Sequence, residues 1–183
     1  VDVNRSIKRA YTSRAVPLSK ERLSFAMRSQ SRSVMSDPLL PAQWNLVNNG
    51  EGFCRDGVVK SVKDADVQVE RAWSRSTGDN SVIVAVLDEG IFFEHPDLLP
   101  NMWVNEGETL RSDEDADGNG YVGDKYGYNF VHDSGVIVSN NAYDSGHGTH
   151  VAGVIAAVNN NGQGISSIAG GDGSADSGVR IMV

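Results

Sequence analysis

An α/β fold built on a parallel sheet is predicted by three features of the chain. Val82-Ile83-Val84-Ala85-Val86-Leu87 is an unbroken apolar run that ends in Asp88, the pattern of a strand covered on both faces. Gly178-Val179-Arg180-Ile181-Met182-Val183 reads as a second buried strand. Between them, Thr149–Val158 is a helix of small and apolar residues, stopped by Asn159-Asn160-Asn161-Gly162, a good C-terminal signal. Strand, helix and strand in that order make a parallel crossover unit.

The elements before the first strand are less regular. Residues 1–36 are polar and rich in Ser and Arg, with one candidate amphipathic helix at Lys20–Arg28. Asp37-Pro38-Leu39-Leu40-Pro41 is a break, because each proline pushes its predecessor out of helix. Residues 42–79 combine a turn-rich insert, Asn48-Asn49-Gly50-Glu51-Gly52, with a helical candidate at Ala65–Ser74. A long acidic, glycine-rich excursion runs from Asn101 to about Tyr128. No internal repeat is present. Two parts follow: residues 1–36, a basic leader or pro-segment remnant, and a body, 37–183.

Bulk properties narrow the function classes. The 183 residues fit one domain with a core, at 39% hydrophobic and 22% charged residues. No apolar run approaches the ~20 residues that span a bilayer, so no transmembrane segment is expected. The leader carries eight Lys/Arg against two Asp/Glu, and the body eight against twenty-two. An acidic body does not suit nucleic acid, which needs a basic footprint. The leader's basic residues lack interleaved stacking aromatics, so a solvated arm lying on the acidic body is the better reading. Cys54 is the one cysteine and has no internal partner. Trp44, Trp73 and Trp103 read as packing residues.

The chemistry lies at two points. Asp88 sits at the carboxyl end of a strand, where functional groups collect in parallel sheets. A carboxylate there can accept the Nδ1–H of an imidazole, fix its tautomer and stabilise the imidazolium formed in catalysis. His147 opens the helix between Gly146 and Gly148, which leaves room for substrate and a sharp entry. A zinc reading uses Asp144, His147 and His150 at spacing three, but the flanking glycines weaken helix there, and no Glu follows the first His. Ser174, in Gly171-Asp172-Gly173-Ser174-Ala175, is a poor nucleophile candidate, because it lacks a strand–turn–helix context.

Calcium is suggested by residue pattern alone. Asp113-Glu114-Asp115-Ala116-Asp117-Gly118-Asn119-Gly120-Tyr121-Val122-Gly123-Asp124 places oxygens at positions 1, 3 and 5, glycine at 6 and a carboxylate at 12. The expected ligands are Asp113, Asp115, Asp117, Asn119, Tyr121 and Asp124. Four aspartates within twelve residues repel one another unless a cation sits among them.

Asp88-Glu89-Gly90 with His95-Pro96-Asp97-Leu98, followed by His147-Gly148-Thr149-His150-Val151-Ala152-Gly153, resembles the subtilisin family of serine endopeptidases over roughly residues 37–183. The resemblance implies a three-layer parallel-sheet subtilisin-like fold, incomplete in this chain, with residues 37–183 as the amino-terminal part of the peptidase domain. It implies Asp88 as triad carboxylate, His147 as general base, and His150 as a buried helix residue. It also implies a second calcium site of the thermitase-like kind: Asp37 and Asp97, the carbonyls of Val158, Gln163 and Ile165, and the side chain of Asn161. Glu89 departs from the family's usual Ser or Thr. The family's oxyanion-hole asparagine and Gly-Thr-Ser nucleophile loop are not found in these residues.

The expected activity is therefore peptide-bond hydrolysis by an exported bacterial protein, secreted, periplasmic or held at the cell surface. This chain would supply base and carboxylate, and a carboxyl-terminal fragment would carry the serine and complete the sheet beside an apolar strand. The rival of another class is a calcium-binding interaction module on the same scaffold without catalysis.

Overall fold

The two predicted strands pair directly and in parallel. The computed structural model describes residues 35–51, 61–138 and 146–183. The expected leader helix at Lys20–Arg28, Cys54 and Asp144 lie outside the described residues. Strand β1 is Ile83–Ala85 and β2 is Arg180–Met182. Their register sets Ile83 opposite Arg180, Val84 opposite Ile181 and Ala85 opposite Met182. The amide of Val86 continues the ladder by donating to the Met182 carbonyl at 2.8 Å. Segments from the long excursion use the other edge of β2. The Trp103 amide donates to Ile181 O at 2.7 Å, and Tyr128 N and Val183 O meet at 3.0 Å.

Helix α2, His147–Ala156, packs on β2. Its contact stripe is Gly148, Ala152 and Ala156, all buried. Small residues at spacing four let the helix axis approach the sheet closely. The main core gathers Val86, Ile91, Phe93, Leu98, Met102, Ile137, Ala152, Ala156, Val179 and Ile181. A second, smaller cluster of Met35, Leu40, Leu46, Val69 and Trp73 surrounds helix α1, Val69–Trp73. The Trp73 indole N–H donates to Ile168 O at 3.1 Å and joins the two clusters.

Several expectations need correction. The predicted helix at 65–74 is shortened to α1, because Gln68 takes a left-handed φ of 56° and its amide donates to the Asp66 carboxylate at 2.7 Å. That local turn competes with helix. The run 82–87 is not covered on both faces: Val82 and Ile83 are each 48% exposed and Leu87 is 91% exposed. One edge of β1 is taken by β2, and among the described residues these side chains are left accessible. His150 is exposed rather than buried, because it lies on the side of α2 opposite the Gly148–Ala152–Ala156 stripe. Trp44 is half exposed, whereas Trp73 is buried.

Ile181 is the centre of this arrangement, fully buried on β2 between β1 and the 102–103 segment. Ile181→Ala is expected to lower unfolding stability by about 2–5 kcal/mol, and Ile181→Val by about 0.5–1.5 kcal/mol. Urea titration of both variants checks this ordering.

Candidate active site and cation sites

Asp88 lies three residues beyond β1 and His147 is the first residue of α2. Although 59 positions apart, they come into direct contact, with His147 Nδ1 2.6 Å from Asp88 Oδ2. The second carboxylate oxygen, Oδ1, accepts the Glu89 amide at 2.8 Å. Sequence and packing explain the contact. Gly146 enters the helix with a left-handed φ of 66°, a conformation that costs glycine little. Gly148 then sits against the loop after β1 so closely that a Cβ would stand 2.2 Å from Gly90 O and 3.1 Å from Asp88 Cβ. The Asp88 side chain is 12% exposed and that of His147 51%. The carboxylate is sheltered and the imidazole is open to solvent. With Asp88 ionised, the short contact favours the tautomer protonated at Nδ1, which leaves the Nε2 lone pair as a base.

Of the zinc arrangement, Asp144 lies outside the described residues. Among the described residues, the one group of three potential metal ligands is Glu108, Asp115 and Asp117, and it contains no histidine. Ser174 is exposed in a turn, where its hydroxyl donates to Asp172 Oδ1 at 2.6 Å.

The acidic loop is organised around a residue outside the sequence motif. Glu108 is 3% exposed. Its Oε1 accepts the amides of Ala116 and Asp117 at 2.7 and 3.2 Å, and its Oε2 accepts that of Gly123 at 3.2 Å. Ligand-type oxygens of Glu108, Asp115 and Asp117 lie within 4.8 Å of one another. Asn105 donates through Nδ2 to Asp117 at 2.9 Å and to Asp124 at 2.8 Å, and Asn119 reaches the same two carboxylates at 3.2 Å each. The Asn105 bond is the main cause holding the Asp117 carboxyl below its ordinary pKa. Asp115, Asp117, Asn119 and Asp124 are thus linked in one hydrogen-bonded loop. Asp113 is exposed and outside the close group, and Tyr121 is exposed with its ring against Tyr128 and Phe130.

Of the residues expected to form the second cation site, Asp37, Asp97 and Asn161 lie in one neighbourhood. Asp37 is 2% exposed and Asp97 3%. Asp97 Oδ1 accepts the Asn161 side-chain amide at 2.7 Å, and Oδ2 accepts the Ile165 amide at 3.1 Å. The Asp97 carbonyl accepts the Val158 amide at 2.9 Å, and Asn161 Oδ1 accepts that of Gln163 at 2.9 Å. Gly164 presses on the carboxylate so that a Cβ would stand 2.0 Å from Asp97 Oδ2. Asp37 Oδ2 accepts the Ser166 hydroxyl at 2.6 Å, but Asp37 Oδ1 is buried with no hydrogen-bond partner. A buried, unpartnered carboxylate oxygen beside a second buried carboxylate is costly without a positive charge. The donor set, two buried carboxylates with the Asn161 side-chain amide beside them, suits a hard cation such as calcium. Asn161 turns its NH2 rather than its oxygen toward Asp97, so a bound cation requires that amide to rotate.

Comparison with known proteins then decides the family. The subtilase family model (Peptidase S8) matches residues 79–176, slightly more than half of the chain.

The chain belongs to the subtilase family.

It is 48% identical over 88 residues to subtilisin-like protease 1 of Plasmodium vivax, covering 48% of this chain and 13% of that protein. It is 36% identical over 102 residues to the halolysin-like extracellular serine protease Nep of Natrialba magadii, covering 56% and 16%. It is 34% identical over 167 residues to the cell wall-associated protease of Bacillus subtilis, covering 89% and 15%. The chain thus spans about one-seventh of the length of these relatives. The parallel sheet with α2 against it is part of the α/β fold of a subtilase. No helix among the described residues is long and apolar enough to cross a membrane.

Within this subtilase segment, Glu108 and Asn105 escaped the sequence reading. Both precede the Asp-x-Asp-x-Asp-Gly pattern, at no spacing that the pattern defines. Burial raises the Asp97 carboxyl above the ordinary value of 3.8, and the Asp37 charge pushes the same way against the hydrogen bonds from Asn161 and Ile165. A raised folded-state value means that Asp97 favours the folded state most below pH 3.8, and that this contribution is lost as pH rises through the folded value. In chelator-treated protein, Asp97→Asn is therefore expected to flatten the fall in stability that sets in over the pH range above 3.8. Denaturation midpoints of both proteins across that range provide the check.

Proposed function

We propose that this chain is the base-supplying part of a calcium-stabilised serine endopeptidase. Residues 37–183 form the amino-terminal part of its peptidase domain, and residues 1–36 are a basic leader or a pro-segment remnant. The observation that carries the reading is the 2.6 Å contact between a sheltered Asp88 and an open His147. His147 Nε2 takes the proton of a serine hydroxyl as that oxygen attacks a peptide carbonyl. Asp88 holds the ring in orientation and stabilises the imidazolium. His147 then returns the proton to the leaving amine, and water releases the acyl-enzyme by the same route. The serine belongs to the remainder of the protein, carboxyl-terminal to these residues, whether continuous with them or held as a separate fragment. Peptides and proteins are the substrates.

Calcium is the resident ion of this reading. Asp37 and Asp97, with Asn161 and the carbonyls of Val158, Gln163 and Ile165, hold one ion at the start of the domain. Asp115, Asp117, Asn119 and Asp124, with Glu108 in place of Asp113, form the set best arranged for a second. A bound ion supplies compensating charge that keeps these loops closed; His147 and Asp88 act on the substrate side without it. Kinship with an extracellular protease and a cell wall-associated protease favours secretion or attachment at the cell surface, and a bacterial source fits the latter.

Two outcomes follow. In the complete protease, Asp88→Asn and His147→Ala should each lower turnover by roughly three orders of magnitude or more at unchanged fold. Unchanged peptide hydrolysis in either variant removes the assignment and favours the interaction module. Calcium at about 100 times its dissociation constant should stabilise the protein by about 2.7 kcal/mol. The rise in melting temperature over chelator should be larger at pH 7 than at pH 4, and Asp37→Asn should reduce it.

A further inference from the structure

We infer that the hydroxyl of Thr149 is a positioning group, which pins the loop after β1 to α2 and so sets the Asp88–His147 distance. The inference rests on the reading of Asp88 and His147 as a working pair. Those two side chains come from separate elements, and their contact requires that the loop and the helix keep one relative position. Gly148 permits the approach to Gly90 by leaving out a side chain. Permission is not attachment, because a missing Cβ exerts no pull.

Thr149 supplies a direct polar tie. Its Oγ1 accepts the amide of Phe92 at 2.9 Å. Thr149 is the third residue of α2, two after His147, and Phe92 lies four residues after Asp88. The bond therefore joins the same two backbone segments that carry the pair. The loop is fixed from behind as well: Ile91 is 1% exposed and its amide donates to Ile137 O at 3.2 Å. Anchored by Ile91 on the core side and by Phe92 on the helix side, residues 88–92 have little freedom to swing Asp88 away. Threonine suits this role because its β-branched side chain has few χ1 choices, so its oxygen is held in place. Valine has nearly the same shape and no acceptor. Serine keeps the acceptor with more rotational freedom.

The test reads the His147 Nδ1 proton by NMR in the full-length protein, since a proton shared at this distance with a carboxylate resonates far downfield and exchanges slowly with water. The native protein should show that signal, and Thr149→Ser should keep it. Thr149→Val should speed its exchange with water by about tenfold, the loss expected for one hydrogen bond of ordinary net strength. Leu46→Val, a core change in the separate smaller cluster, should leave the signal as in the native protein. An unchanged exchange rate in Thr149→Val overturns the inference, and so does loss of the signal in Leu46→Val, which would make it a mere reporter of stability. A native protein without the downfield signal overturns the pair itself, and the inference with it. Should Thr149→Val fail to fold, the Phe92 amide decides. Exchange at least about tenfold slower than in an unstructured peptide supports the tie, and exchange at the unstructured rate overturns it.

Discussion

The close approach of α2 to the loop after β1 is the constraint on which this structure depends. At Gly148 there is no room for even one methyl group against the Gly90 carbonyl. That proximity brings a carboxylate and an imidazole 59 positions apart to 2.6 Å. It also follows from the sheet. Parallel pairing of β1 with β2 and the small-residue stripe of α2 on β2 leave the helix start facing the strand's carboxyl end. This is the region where parallel sheets gather reactive groups. The Asp88–His147 contact and core packing are thus one arrangement, and a residue that disturbs the helix–sheet spacing disturbs both.

A second constraint is negative charge. The body of the chain has fourteen more acidic than basic residues, and several of its carboxylates are buried. Asp37, Asp97 and Glu108 are each at most 3% exposed. The protein handles them in two ways. Glu108 is met by three backbone amides, which satisfies a carboxylate well. Asp37 keeps an unpartnered oxygen beside Asp97, so negative charge there is less fully satisfied than at Glu108. The Asp97 site lies between the start of the described chain and the loop that ends α2, so charge compensation at that point bears on the helix that carries His147.

Much of this site was legible in the residues because its signals are local. A strand-end Asp88, a glycine-flanked His147 and the spacing of Asp115, Asp117, Asn119 and Asp124 each sit inside a short pattern. So does the stop after α2. What escaped depends on contacts across the fold. Glu108 and Asn105 organise the acidic loop from outside its motif, and Thr149 matters through the amide of Phe92, 57 positions away. The exposure of Val82, Ile83, Leu87 and His150 could not be read from apolar character, because burial depends on what lies opposite. Gln68 delays the start of α1 through a side-chain turn at Asp66 that competes with helix propensity.

The central claim is that Asp88 and His147 together activate a serine elsewhere in the protein. Mass spectrometry of the native, calcium-loaded protease after treatment with a fluorophosphonate tests it most directly. A single adduct on a serine carboxyl-terminal to residue 183, abolished in His147→Ala, is the predicted result. No adduct on active protease, or an adduct equally formed in His147→Ala, would contradict the account.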